Sequence, residues 1–433
     1  MSTQTKKKQT STLLEFVKDI QIIIQYWIRI FNIKLGWINN FDMLVFNYVM
    51  FSFFYLMINM YLLVVHYVIQ ANTFIMLDMF FQSSKLLKTL CGHTNWVNSI
   101  DYSTFDDCQF ICSGSDDHTV RVWNLDVNKQ IQIFSRHSNQ VNCVKFSQYH
   151  CHNYHRNIVC SSSDDRTIRF WDIKNDRQLQ IYNEHTSYVK CIEFSSFNCG
   201  QYLCSGSLDK KIRLWDIETS KSLHVFNGHT KGICCVDVSP LQSNVNNKSN
   251  SIGVIGGNGY TICSGSNDAT IRIWDIETTK QLIILKGHEC SLSSVKYGSN
   301  ELVNTILSGS YDSSVRLWDI RSGQQIQVFN GHIDDVYDVE YSPFAVVNNI
   351  EFDNISNVIC SGSFDNTIRF WDIRSNKKEL HLIKGDSEGD NEGDDGILCL
   401  KFLQLKKSKS KYDSGCGINL CYGSCSGNVY IWG

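Results

Sequence analysis

A histidine, a serine, an aspartate and a tryptophan recur in that order six times along 433 residues. The sets are His93, Ser113, Asp117 and Trp123; His137, Ser161, Asp165 and Trp171; and His185, Ser205, Asp209 and Trp215. They continue with His229, Ser264, Asp268 and Trp274; His288, Ser308, Asp312 and Trp318; and His332, Ser361, Asp365 and Trp371. Serine, histidine and aspartate could make a hydrolase, with a base to take the serine proton and a carboxylate to orient the base. Hydrolysis needs one such site with an oxyanion hole and a pocket. Six equivalent copies speak for a structural role, because buried polar groups need partners wherever they occur. A seventh copy departs from the pattern. Gly385-Asp386 stands where Gly-His is expected, Tyr422 replaces the serine, Ser426 replaces the aspartate, and Trp432 remains. The seventh unit is therefore expected to be the softest.

Other chemistry has weaker support. The stretch HCHNYH at 150–155 falls in a loop between strands and satisfies no Cys-His spacing rule, so no metal is expected there. The acidic run GDSEGDNEGDDG at 385–396 has neither the flanking helices nor the ligand spacing of a calcium loop and reads as a disordered loop. No cofactor is implied. Many of the 18 cysteines precede a serine at one point of the repeat, namely Cys112, Cys160, Cys204, Cys263 and Cys360. Such positions read as small buried hydrophobes in a reducing compartment, cytosol or nucleus. The net charge of −3 does not point to nucleic acid. An arginine precedes most of the tryptophans (Arg121, Arg169, Arg213, Arg272, Arg316 and Arg369), but it alternates with core residues around a ring and reads as solvated or ion-paired.

The elements that must position these residues form a repeat. The clearest unit, NEHTSYVKCIEFSSFNCGQYLCSGSLDKKIRLWDIETSKSLHVF (183–226), holds a turn and four strand-like stretches. The tryptophans at 123, 171, 215, 274, 318, 371 and 432 are spaced by 48, 44, 59, 44, 53 and 61 residues. That is at or above the roughly 40–45 residues of a four-stranded propeller blade. The excess maps to loops at 241–259, 346–357 and 405–415, all between the first and second strands of their units.

Residues 1–82 differ in character. The stretch MLVFNYVMFSFFYLMINMYLLVVHYVI at 43–69 is uncharged and exceeds the roughly 20 apolar residues that cross a bilayer. It is a candidate transmembrane helix, and membrane association through 43–69 is one expectation. The lysines and arginines ahead of it would keep the N-terminus cytosolic and send the rest outside, where unpaired cysteines fit poorly. The composition is also what AT-rich codons spell, so a mispredicted gene start is the second reading.

The recurring Gly-His and Trp-Asp landmarks over 83–433 resemble the WD-repeat β-propellers. The resemblance implies an all-β, seven-bladed propeller and a non-catalytic scaffold for protein or peptide partners; the apolar N-terminal segment that precedes the propeller is expected to be helical from its hydropathy. It implies that aspartate holds histidine, histidine meets serine, and serine meets the indole N–H. In similar proteins one face is lined by residues just after the Gly-His turn and by the residue before the turn aspartate. Here these are Trp96, Asn98 and Asp116; Gln140, Asn142 and Asp164; Tyr188, Lys190 and Leu208; Cys234 and Asn267; Ser293 and Tyr311; and Tyr337 and Phe364. Trp96, Tyr188, Tyr311, Tyr337 and Phe364 are the candidate hot spots, since exposed aromatics carry much of the binding energy at interfaces. The stretch ILSGSYDSSVRLWDIR (306–321), and less closely ICSGSFDNTIRFWDIR (359–374), resembles a motif of propellers that dock onto cullin-RING ligase adaptors. Arg321 and Arg374 would be the docking residues, which makes a ligase substrate receptor the alternative function.

The last strand-like stretch, GNVYIWG (427–433), lacks a following partner. KLLKTL (85–90) aligns with the fourth strand of every other unit, so it is expected to complete the seventh blade and close the ring.

Overall fold

The chain divides into two compact units, residues 1–71 and 72–433. The computed structural model describes residues 80–81, 85–239, 260–298, 302, 304–343, 358–374, 379–385, 396–403 and 419–433, all in the second unit. The candidate membrane helix at 43–69 lies outside the described residues, as do the loops at 241–259, 346–357 and 405–415 and the acidic residues 386–395. Among the described residues no helix is long and apolar enough to cross a membrane.

Seven antiparallel sheets of four strands follow one another along the chain. Blade three shows how sequence makes each layer. Its inner strand Val189–Phe194 buries every residue except Lys190 and Glu193, which are half-buried and line a central channel. The second strand, Tyr202–Ser207, is buried at every residue, lying between neighbouring blades with both faces covered. The third, Lys211–Asp216, buries Ile212, Leu214 and Trp215, and the outer strand Lys221–Asn227 is half open to solvent. The repeated cysteine of the second strand is 0% exposed at Cys112, Cys160, Cys204, Cys263 and Cys360, and burial raises each thiol well above its ordinary pKa. The described cysteines are free thiols, and these are packed as hydrophobes.

The seventh blade is assembled from both ends of the second unit. Leu86–Leu90 pairs antiparallel with Val429–Trp432, placing Leu90 opposite Val429 and Leu86 opposite Trp432 across a bulge. Lys85 and Gly433 exchange backbone hydrogen bonds at 3.3 and 3.2 Å. Phe80 lies just before this strand in the region that composition groups with the apolar N-terminus. It is 0% exposed and packs among Ile368, Phe370, Ile397, Leu400 and Tyr422 of blades six and seven. Phe81 beside it stacks on His381 at 4.0 Å and meets Phe370 edge-on.

One local expectation needs correction. Residues 150–155, read as loop, lie largely in a short helix α1, Gln148–Tyr154, whose N-cap is Ser147. The Ser147 hydroxyl bonds His150 Nδ1 at 2.8 Å, and the His150 ring sits 5.8 Å from Phe170. Weak helix propensity is overridden here by a cap and by burial against blade two. No group of three or more His, Cys, Asp or Glu suited to a metal occurs among the described residues.

Candidate partner-binding face

The six His-Ser-Asp-Trp sets form six equivalent hydrogen-bond chains. In blade three, His185 Nδ1 lies 2.8 Å from Asp209 Oδ2, His185 Nε2 lies 2.8 Å from Ser205 Oγ, and Trp215 Nε1–H donates to Ser205 Oγ at 2.8 Å. The same three contacts span 2.7–3.0 Å in blades one, two and six. In blades four and five they span 2.8–3.0 Å. An indole N–H can only donate, so the serine oxygen accepts it and offers its own proton to the imidazole. The imidazole is then neutral, and its Nδ1–H donates to the aspartate carboxylate. Burial lowers the pKa of His93, His137, His229 and His288 against the pull of their aspartates. Burial would raise the turn aspartates, but hydrogen bonds from histidine, hydroxyl and amide reverse this and bring Asp365 down to about 2. The six serines are 0% exposed and both ring nitrogens of each histidine are engaged, so none of these six serines is open to a substrate.

Blade seven breaks the chain as its sequence requires. Tyr422 stands opposite Leu400, where a serine faces the inner strand elsewhere, and stacks on Tyr430 at 4.9 Å. Trp432 Nε1 is left buried without a hydrogen-bond partner among the described residues. The repeated arginines are tied down: Arg121, Arg169, Arg272 and Arg316 reach their own turn aspartates, and Arg213 and Arg369 reach Glu184 and Glu379.

At the end of the ring that carries the Gly-His turns, one backbone bond recurs in every blade. The residue before the turn aspartate donates to the carbonyl three positions after the histidine, at 2.9–3.0 Å: Asp116 to Trp96, Asp164 to Gln140, Leu208 to Tyr188, and Asn267 to Gly232. Tyr311 to Ser291, Phe364 to Asp335 and Cys425 to Gly396 complete the set. These bonds place the positions named in the sequence analysis at one end of the ring, where most of their side chains fall into two groups.

The first group is a network at the channel mouth. Asn98 donates to Asp116 Oδ1 at 2.6 Å, and Asn142 donates to Asp164 Oδ1 at 2.7 Å. Lys190 Nζ reaches Asp164 at 3.0 Å and Asn142 at 3.1 Å, and lies 5.7 Å above the ring centre of Tyr188. The Cys234 thiol meets Asn267 at 2.9 Å, and the Ser293 hydroxyl donates to the Val336 carbonyl at 2.5 Å. Lys190 and Ser293 thereby join neighbouring blades, and Asn98 and Asn142 also donate to the Val141 and Val189 carbonyls of the next blade at 3.0 and 2.9 Å, while the Cys234–Asn267 contact stays within blade four.

The second group is a row of rings. Tyr311 meets Tyr337 at 5.3 Å between centroids, Tyr337 meets Phe364 at 6.0 Å, and Phe364 meets Trp96 at 5.8 Å. The row crosses from blade five through blade six to blade one, over the top of blade seven. Blade seven allows this because it places Gly396 and Cys425 at the two face positions. A Cβ on Gly396 would stand 2.5 Å from Phe364 Cδ2. Tyr311 is 36% exposed, Tyr188 is 40% exposed, and the other three rings are half-buried.

The sequence reading missed the channel itself. The fifth residue of each inner strand is charged: Asp101, Lys145, Glu193, Asp237, Lys296, Glu340 and Lys401. Neighbours pair around the ring, Lys145 with Glu193 at 2.5 Å, Lys296 with Glu340 at 3.5 Å, and Lys401 with Asp101 at 3.6 Å across the closure. Asp237 is left over. Burial pushes its carboxyl up to about 6, and it accepts the backbone N–H of Tyr297 at 2.7 Å. One charge per repeat at a fixed place was the available signal.

At the adaptor-docking motifs, Arg374 folds back on Asp372, with Nε 3.2 Å from Oδ1. Arg321 is exposed, and its guanidinium makes no ion pair among the described residues.

The profile of the family described as "WD domain, G-beta repeat" matches residues 84–124, 128–172, 176–216, 220–275, 279–319 and 323–372. A 58-residue stretch is 38% identical to coatomer subunit beta'-1 of Arabidopsis thaliana, covering 13% of this chain and 6% of that protein. A 57-residue stretch is 44% identical to a probable E3 ubiquitin ligase complex SCF subunit sconB of Arthroderma otae, covering 13% of this chain and 8% of that protein. The sconB of Emericella nidulans is 45% identical over 53 residues, with 12% and 8% covered. The chain thus spans less than a tenth of the length of these relatives.

Proposed function

Because the chain belongs to the WD-repeat family, we propose that it is a non-catalytic scaffold that binds protein partners on the face bearing the Gly-His turns. The observation that carries this reading is the aromatic row Tyr311–Tyr337–Phe364–Trp96, four rings in continuous contact and partly open to solvent. Scattered apolar residues on a surface mean little, but a contiguous aromatic patch on a rigid support is the form that binding hot spots take. The test is affinity purification of the full chain beside a Tyr337→Ala/Phe364→Ala variant, with partners identified by mass spectrometry. Partners held by the native chain and lost from the variant support the proposal. An unchanged partner set from a variant with an unchanged melting profile counts against it.

A substrate-receptor role in a ubiquitin ligase is the second reading. It is favoured by the guanidinium of Arg321, exposed and without an ion pair among the described residues, and by the short sconB matches. Arg321→Ala should then lose a ligase adaptor that Arg374→Ala retains, because Arg374 is already engaged by Asp372. A pull-down of the native chain without any adaptor sinks this reading.

A further inference from the structure

The binding face carries one complete and one incomplete version of the same arrangement. At blades two and three the Tyr188 ring lies 5.7 Å beneath the Lys190 ammonium, and Asp164 holds that ammonium at 3.0 Å. Ring, cation and carboxylate are all supplied by the chain itself. At blades five and six the ring and the carboxylate are present without the cation. Tyr311, Tyr337 and Phe364 are in contact, and the Phe364 amide is bonded to the carbonyl of Asp335 at 2.9 Å. Asp334 and Asp335 lie on the turn that leads into Tyr337, and neither carboxylate makes an ion pair among the described residues. Burial and the neighbouring Asp334 raise the Asp335 carboxyl, as expected of two like charges without a counter-ion. Ile333 opens the same turn and is 87% exposed.

The chain's own cations at the position after the turn aspartate stand elsewhere among the described residues. The residue after the turn aspartate is His118, Arg166 and Lys210 in blades one to three, and Ala269, Ser313 and Asn366 in blades four to six. The aromatic sector with two unpaired carboxylates is thus the sector without basic side chains at this position.

We propose that this sector binds a protein segment bearing an arginine or lysine next to an apolar side chain. The cation lies over the faces of Tyr337 and Tyr311 and meets Asp334 and Asp335, while the apolar neighbour rests on Ile333 and Phe364. This deepens the scaffold reading, on which it rests, by naming the chemistry of the partner. A cation over an aromatic face is attracted by the ring quadrupole, and complementary charge adds specificity and a faster encounter.

The test selects from a displayed library of random dodecapeptides with the full chain as bait, beside two variants. One is Asp334→Asn/Asp335→Asn and the other is Tyr337→Ala/Phe364→Ala. The expected result is a pool enriched in arginine or lysine adjacent to apolar residues. Its best member should bind the Asp334→Asn/Asp335→Asn protein at least tenfold more weakly and lose affinity as salt is raised. An acidic or neutral pool that needs the aromatic residues and ignores the two carboxylates overturns the basic-segment proposal while leaving the scaffold reading in place. A pool captured equally by the Tyr337→Ala/Phe364→Ala protein, or no enrichment at all, overturns both. Asn for Asp preserves size at exposed and half-exposed positions, so a melting profile matching the native one confirms that each variant is folded.

Discussion

At the scale of single residues, repetition supplies internal controls. Six blades place glycine near the end of the second strand where the next blade's inner strand crosses closely; a Cβ on Gly206 would stand 2.7 Å from Ile233 Cγ2 of blade four. Blade two has Ser162 there, and its hydroxyl is buried without a hydrogen-bond partner. Ser162→Ala should therefore raise stability by about 1 kcal/mol, since an unsatisfied buried hydroxyl costs about 1–3 kcal/mol. Thermal and urea melts of the two proteins measure it, and a loss of stability would mean the hydroxyl has a partner. Trp432 offers the matching control. Trp432→Phe should cost less than Trp215→Phe, because only the second breaks an indole hydrogen bond. The six chains also set the response to acid. Histidines whose pKa falls on folding bind fewer protons in the native state, so their contribution is present above pH 6.5 and is lost as pH drops below it. The turn aspartates, whose pKa also falls, hold their contribution above the usual carboxylate range and lose it as pH drops through that range toward about 2 at Asp365. Urea midpoints should hence decline in two stages on acidification, first below pH 6.5 and then below about pH 4, the usual carboxylate range. A midpoint that rises between pH 6.5 and 5 contradicts the neutral-imidazole assignment.

At the scale of elements, closure of the ring depends on five residues far from the rest of their blade. Leu86–Leu90 covers the open edge of Val429–Trp432, and Phe80 fills the seam between blades six and seven. Deleting 83–90 should abolish the cooperative melt, because an exposed strand edge and an opened seam destabilise the ring as a whole. Phe80→Ala should cost about 3–5 kcal/mol, the range for emptying a buried phenylalanine site. Gly396→Ala is the element-level test of the binding face. Its Cβ must displace the Phe364 ring, so partner binding should weaken about as much as in Phe364→Ala while the melt changes little. The strand units, the blade count and the closing strand were legible from periodicity, because hydrophobic alternation and tryptophan spacing are local signals. The seam residues Phe80 and Phe81 were not, since two phenylalanines after a long apolar run look the same as that run. Helix α1 was missed for the converse reason: its stability comes from a serine cap and a covered ring, neither of which periodicity reports.

At the scale of the whole molecule, the aromatic row of the proposed binding face emerges from what blade seven lacks. Its residue types at the repeat positions were readable one blade at a time. Their union into one row was not, because the contact between Phe364 and Trp96 depends on a small residue at Gly396 and Cys425 in the blade between them. The charge ring of the channel has the same origin, visible only when equivalent residues of all seven inner strands are set side by side. The profile match covers the first six repeats, and the seventh, which lacks the histidine, serine and aspartate, completes the ring and places Gly396 beside the Phe364 ring. The most direct test of the interaction role is site-specific photo-crosslinking in cells, with a benzophenone side chain placed at Phe364 in one protein and at Ile131 on an outer strand in another. The account predicts protein adducts from position 364 that are absent from position 131. Adducts from position 131 with none from position 364 would contradict it.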